Sequence, residues 1–240
     1  MKIAVITPYY KEHIEILLQC HQSVLTQSIA ADHFFIADGF PNKDLMELNI
    51  KHVSLPVAHG DFGDTPRGIG SMLANVEGYD FITYLDADNW MLSDHLSSLF
   101  SMWEETQADL CTSFRTFYTT SGLELPISES DEQLFQHVDT SCYFLHRNTF
   151  ETLDIWLKMP KVLHAIGDRV FYSGLKSKKY KFAHTKKKSL AYRTQWKAHY
   201  LSANVEPPAN CKENVGEESY EWLYTIDGVR ETVEKLGFVP

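Results

Sequence analysis

The sequence predicts an α/β fold with a mostly parallel central sheet flanked by helices in the doubly wound manner. Short apolar runs of strand length, most of them closed by Gly, Pro or Asp, alternate with longer stretches whose apolar residues recur at helical spacing. With 240 residues and 44% hydrophobic content, the chain is also large enough to bury both faces of such a sheet.

The elements follow in order. KIAVITP reads as a short buried strand ended by Pro8, and HIEILLQCHQSVLTQS as a helix carrying Ile14, Leu17, Leu18, Val24 and Leu25 on one stripe. HFFIADG is a second strand, closed by Gly39 and Pro41, and IKHVSLPV a third. DTPRGIGSMLANVEG is a helix with Asp64 or Thr65 as its cap and Pro66 in its first turn. YDFITYLDADNW supplies the fourth strand, completing a βαβαβαβ order. Beyond it, LSDHLSSLFSMWEET reads as a helix, ADLCTSFRTFYTT as a strand, and SCYFLHRNTFETL as a strand leading into a helix. A short helix at HAIGDRVFYSGLK precedes a basic strand, and SLAYRTQW is a further strand or loop. From Ala203 the composition turns polar through Pro207 and Pro208, before one final amphipathic helix over 218–236.

Composition excludes several classes. A formal charge of −10 argues against general nucleic-acid binding. Cys20, Cys111, Cys142 and Cys211 are too scattered for a zinc site or a disulfide framework, which leaves oxygen or histidine to bind any metal. No stretch approaches a membrane span or a signal-peptide core, so a cytoplasmic protein is expected. Seven lysines between Lys176 and Lys188 run against the overall acidity. They read either as guards of an exposed strand edge or as a surface for phosphates, including anionic headgroups of a membrane that the protein meets peripherally. The final helix could pack on the parent domain or pair with a second copy in a homodimer.

In a doubly wound sheet, ligands collect at the carboxyl ends of the strands, which brings Pro8 to Tyr10, Asp38 and Asp86 to Asp88 together. An Asp-x-Asp arises readily by chance in a chain this rich in aspartate. At a strand end inside a cleft, however, two carboxylates repel one another unless a cation or protons compensate. Mg²⁺ or Mn²⁺ meets that demand with one or two carboxylates plus ligand phosphates and water. The plainer reading is a pair of solvated aspartates ahead of the helix near Ser93.

Six segments in this order resemble the family 2 glycosyltransferases, enzymes of the GT-A fold: AVITPYYKEH, FFIADGFPN, DTPRGIG, YLDADNW, IGDRVFYSGLK and LAYRTQW. The resemblance covers residues 3 to 200. It implies a single glycosyltransferase domain over 1–202, with a nucleotide-binding half (1–92) and an acceptor-binding half (93–202), and a loop-and-helix extension over 203–240. It also implies inverting, metal-dependent transfer from a nucleotide sugar, UDP-linked, to a saccharide or lipid-linked saccharide. Pro8, Tyr9 and Tyr10 match the turn that frames the base, and Asp38 the residue that binds base or ribose, with Ala37 standing where the family more often has another aspartate. Arg67 matches the residue that contacts the nucleotide or the first motif carboxylate. Asp86 and Asp88 take the ribose and metal roles, and Asp168 that of the general base. His184 and Arg193 could approach the diphosphate. Trp90, Tyr143 and Trp196 either stack on acceptor sugars or fill the core.

Two other readings stand beside this one. A noncatalytic sugar-nucleotide-binding module would keep the fold without turnover. A phosphoryl-transfer enzyme with Asp86 as nucleophile would want its motif on the first strand and a Thr or Val where Trp90 stands.

Overall fold

A computed structural model describes residues 1–130, 137–213 and 215–240. Asn214, within the polar loop read from the sequence, lies outside the described residues.

Strand β1 (Ile3–Tyr9) is buried along its whole length, as expected of a central strand covered on both faces. It pairs in parallel with β2 (Asp32–Ala37) on one side and with β4 (Phe81–Tyr84) on the other, and β3 (Lys51–Ser54) joins β2, also in parallel. Helices α1 (Ile14–Leu25) and α2 (Asp64–Val76) belong to this half, with α2 packed on β1 and β2. In place of the helix that a βαβαβαβ order implies between β2 and β3 stands a 3₁₀ stretch, Lys43–Glu47, capped by the Asn42 side chain.

The second half is mixed. β5 (Trp90–Met91), α3 (His95–Thr106), β6 (Leu110–Tyr118), β7 (Glu124–Leu125) and β8 (Tyr143–His146) are followed by α4 (Ile155–Lys158), α5 (Gly167–Ser177) and β9 (Phe182–Arg193). The sheet order is β3-β2-β1-β4-β8-β6-β9-β5, with β7 on β6. β8 runs antiparallel to both neighbours and so inserts between the parallel half and the parallel β6/β9 pair. β8 leads into a 3₁₀ stretch, Arg147–Thr152, before the short α4.

The basic strand and SLAYRTQW, predicted as two elements, form the single strand β9. Its register against β6 shifts near Thr112 and Phe114, and Lys186 sits at φ +57°. β5 pairs β9 at Leu190 and Ala191. Within the lysine-rich stretch Lys178 meets Glu151, Lys187 meets Asp94, Lys181 meets the Thr106 carbonyl, Lys188 meets Ser128 and Lys176 lies over the Tyr172 ring.

The predicted final helix is two, α7 (Glu217–Leu223) and α8 (Ile226–Leu236), which follow the short α6 (Lys197–Ser202). The break has a local cause. Thr225 is extended and its hydroxyl accepts from the Gly228 amide, so it starts a new helix rather than continuing the old one. Ser219 ties α7 to the Val162 carbonyl, and Trp222, Leu223, Leu236 and Phe238 pack against the main core. Among the described residues no helix is long and apolar enough to cross a membrane.

Candidate active site

The register sets the site. Tyr9 lies opposite Ala37 and Ile6 opposite Tyr84, so Pro8 to Tyr10, Asp38 and Asp86 to Asp88 leave the sheet at one edge, as predicted. With the start of α2 and the end of β9 they enclose a cleft of about 400 Å³. Gly63 opens α2 at φ +85°, a conformation that costs a side-chain-bearing residue energy, and Asp61 caps the helix by accepting from the Thr65 amide and hydroxyl. The cap is therefore Gly63 with Asp61 behind it, not Asp64 or Thr65.

The two tyrosines differ. Tyr9 is buried, its hydroxyl 2.6 Å from His52 Nε2 and accepting from the Asn42 amide, so it shapes the cleft wall. Tyr10 is 41% exposed at the mouth, edge-on to Phe40, with the Lys11 ammonium 4.7 Å from its ring centroid. Asp38 is buried and accepts from the amides of His59 and Gly60, with His59 Nδ1 2.8 Å from its Oδ1. Its carboxylate thus holds the 59–60 turn against the cleft.

Arg67 is 4% exposed and joins two carboxylates, Nη1 donating to Asp64 Oδ1 and Nη2 to Asp86 Oδ1, each at 2.9 Å. Its guanidinium lies over Trp156. Of the two contacts the sequence allows, it makes the one to the first motif carboxylate. Asp64 also meets His164, whose Nδ1 lies 2.8 Å from Oδ2. A Cβ at Gly167 would come within 2.4 Å of Asp64 Oδ2, so this close packing needs glycine there.

Burial pushes Asp64 up to about 6 despite His164 and Arg67. Burial also raises Asp86, where Asp139 and Asp168 add to the effect and Arg67 opposes it. Asp88 is pushed up to about 7, chiefly by burial and then by Asp86 and Glu12, with Gln195 and Arg193 opposing. These folded-state values lie above the ordinary carboxylate range. The stability tied to the Asp64 and Asp88 protons is therefore complete below that range and is lost as pH rises through about 6 to 7.

Asp86 Oδ2 and Asp88 Oδ1 accept no hydrogen bond from the described residues, while Oδ2 of Asp88 accepts from Gln195. No group of three or more His, Cys, Asp or Glu among the described residues is arranged to hold a metal. This donor set fits a hard divalent cation that takes its remaining ligands from phosphate and water.

Asp168 lies apart from the carboxylate pair. It opens α5 and lines a second cavity of about 660 Å³, which shares Tyr192 and Trp196 with the first. Burial raises its pKa, but the hydrogen bond and charge of His137 and the Arg169 amide more than offset this, so it sits below the ordinary value. It is ionised at neutral pH.

Arg193 lines the cleft. Its Nη2 donates to Gln19, its plane lies 5.2 Å from the Trp90 ring, and its Nε and Nη1 are buried without a hydrogen-bond partner. His184 does not line the cleft, which corrects the second diphosphate candidate. It lies near the start of β9, where Nδ1 is 2.8 Å from the Thr112 hydroxyl and the ring packs edge-on against Phe114. Tyr143 is a core residue, Trp90 packs on Tyr118, and Trp196 alone of the three aromatics lines the cavities. His59, Asp64 as an Arg67 partner, His137, Gln195 and Lys212 were not singled out from the sequence. No local pattern marks them.

The sequence profile described as glycosyl transferase family 2 matches residues 4–167, and the chain belongs to that family. Its fold is that of the GT-A glycosyltransferases. Similar solved structures include S. aureus TarS 1-349, at 15% identity and TM-score 0.65 over 98% of this chain and 72% of that one. TarS 1-349 in complex with UDP matches at 13% and 0.62 over 98% and 72%, and its complex with UDP-GlcNAc at 15% and 0.64 over 98% and 73%. No curated protein sequence matches the chain. The phosphoryl-transfer reading falls, because the carboxylate pair ends β4 rather than β1 and the family is a glycosyltransferase family.

Proposed function

We propose that the chain transfers a sugar from a UDP-sugar to a hydroxyl of a saccharide or lipid-linked saccharide, with inversion at the anomeric carbon. The observation that carries this reading is the placement of Asp168 in a second cavity that adjoins the cleft at Tyr192 and Trp196. An inverting transfer needs a base beside the acceptor, on the side away from the departing diphosphate, and one carboxylate cannot serve both ends. The complexes of S. aureus TarS with UDP and UDP-GlcNAc support a UDP-linked donor.

In this reading Tyr10 stacks on the base at the mouth, the wall formed by Pro8, Tyr9 and Asp38 frames base and ribose, and Arg67 orients Asp86. Asp86 and Asp88 would hold Mg²⁺ or Mn²⁺, which would stabilise the negative charge growing on the diphosphate. Asp168 accepts the proton of the acceptor hydroxyl as its oxygen bonds to the anomeric carbon. The bond from that carbon to the β-phosphate oxygen breaks with its electron pair leaving on UDP. His137 holds Asp168 Oδ2, and the Arg169 amide holds Oδ1.

Release of nucleoside diphosphate, followed across the common nucleotide sugars with Mn²⁺, tests this. Turnover with a UDP-sugar, lost in Asp168→Asn, is the expected result. UDP that binds without turnover of any donor or acceptor would leave the noncatalytic module as the better reading.

A further inference from the structure

We infer that Lys212, carried by the loop after α6, is the cation that meets the donor's diphosphate in the cleft. The inference deepens the proposed function and rests on it. Among the described residues three cationic side chains line the cleft, namely Arg67, Arg193 and Lys212. They are not equivalent. Arg67 is spent on Asp64 and Asp86, and one end of Arg193 is spent on Gln19. Lys212 Nζ makes no ion pair or hydrogen bond with a described residue, and its nearest ring is Trp196, 5.7 Å from the centroid.

Most surface lysines with such freedom carry no role, because a flexible stem on a loose loop holds no position. Lys212 differs in its backbone. Its amide donates to the Gln195 carbonyl at 2.7 Å and its carbonyl accepts from the Lys197 amide at 2.9 Å, so the residue is pinned on both sides of Trp196. The Lys197 side chain pairs with Glu213 and fixes the next position as well. Gln195, which holds the Lys212 backbone, also donates its side chain to Asp88 Oδ2. The lysine is therefore tied through one residue to the carboxylate pair.

The charge in the cleft gives the lysine its use. A diphosphate brings two or more negative charges toward Asp86 and Asp88, the second of which already has its pKa raised in part by the first. A divalent ion would offset part of this, and an unpaired ammonium in the cleft wall offsets more as a charge-assisted hydrogen-bond donor. The segment from Ala203 onward, which the sequence presents as an appendage, thus completes the donor site.

Calorimetric titration of UDP and of uridine, each with Mn²⁺, into wild type, Lys212→Met and Lys212→Arg tests the assignment. Lys212→Met is expected to weaken UDP by about tenfold and to leave uridine within about twofold, while Lys212→Arg retains UDP affinity. Equal losses for UDP and uridine, or an unchanged UDP affinity in Lys212→Met, would overturn it. A wild-type protein that binds no UDP would overturn the donor reading itself, and this assignment with it.

Discussion

Asp168→Asn is expected to lower sugar transfer by on the order of 10²- to 10⁴-fold while leaving UDP affinity within about twofold of wild type. Asn keeps the volume and an oxygen for the His137 contact, but it cannot take a proton from an acceptor hydroxyl. Asp168 lines the second cavity and not the cleft, so no donor contact is lost. Its charge also contributes to the raised pKa of Asp86, so its removal does not disfavour an ionised carboxylate pair. Single-turnover transfer rates and UDP titration separate the two effects. A variant that transfers at the wild-type rate would remove Asp168 from the base role.

The largest effect on stability is expected from Arg67→Met, a loss of about 3–5 kcal/mol in urea denaturation at pH 8. Arg67 is buried, and its two nitrogens are the cationic partners of Asp64 and Asp86. Methionine fills much of the volume but strands Asp64, whose side chain is 3% exposed. His164, whose Nδ1 lies 2.8 Å from Asp64 Oδ2, remains beside it. Without the guanidinium both carboxyls are driven further toward their protonated forms. The sign follows from the raised value of Asp64: at pH 5 its proton is already bound in the fold, the missing cation matters less, and the loss shrinks. A variant within about 1 kcal/mol of wild type at pH 8 would show that the network is not a structural element.

The parallel half of the fold was legible because its signals are local. IAVITPY, DHFFIA and FITY are apolar runs of strand length, and a parallel sheet dictates that their carboxyl ends converge. That rule alone brought Pro8, Asp38 and Asp86 to one edge. The partners of these residues were not legible, because they come from far along the chain. Gln195 reaches Asp88 across 107 positions, His164 reaches Asp64 across 100, and His137 reaches Asp168 across 31. Gln and His carry no periodic signal that would single them out. His184 shows the converse error: a histidine in a basic stretch suggested phosphate, yet the β9 register sets it on Thr112. The split of the last helix was written in Thr225 and Gly228, which an apolar repeat running through both had masked.

The most direct test of the central claim, that the cleft at Asp86 and Asp88 is a nucleotide–diphosphate–metal site, is calorimetric titration of UDP with Mn²⁺ into wild type at pH 8 and pH 6 and into Asp88→Ala at pH 8. Asp88 sits at about 7 without ligand and must lose its proton to hold a cation. The expected result is binding at pH 8, affinity weaker by up to about tenfold at pH 6, and loss of the Mn²⁺-dependent part in Asp88→Ala. Equal UDP affinity in wild type and Asp88→Ala, with and without Mn²⁺, would contradict it.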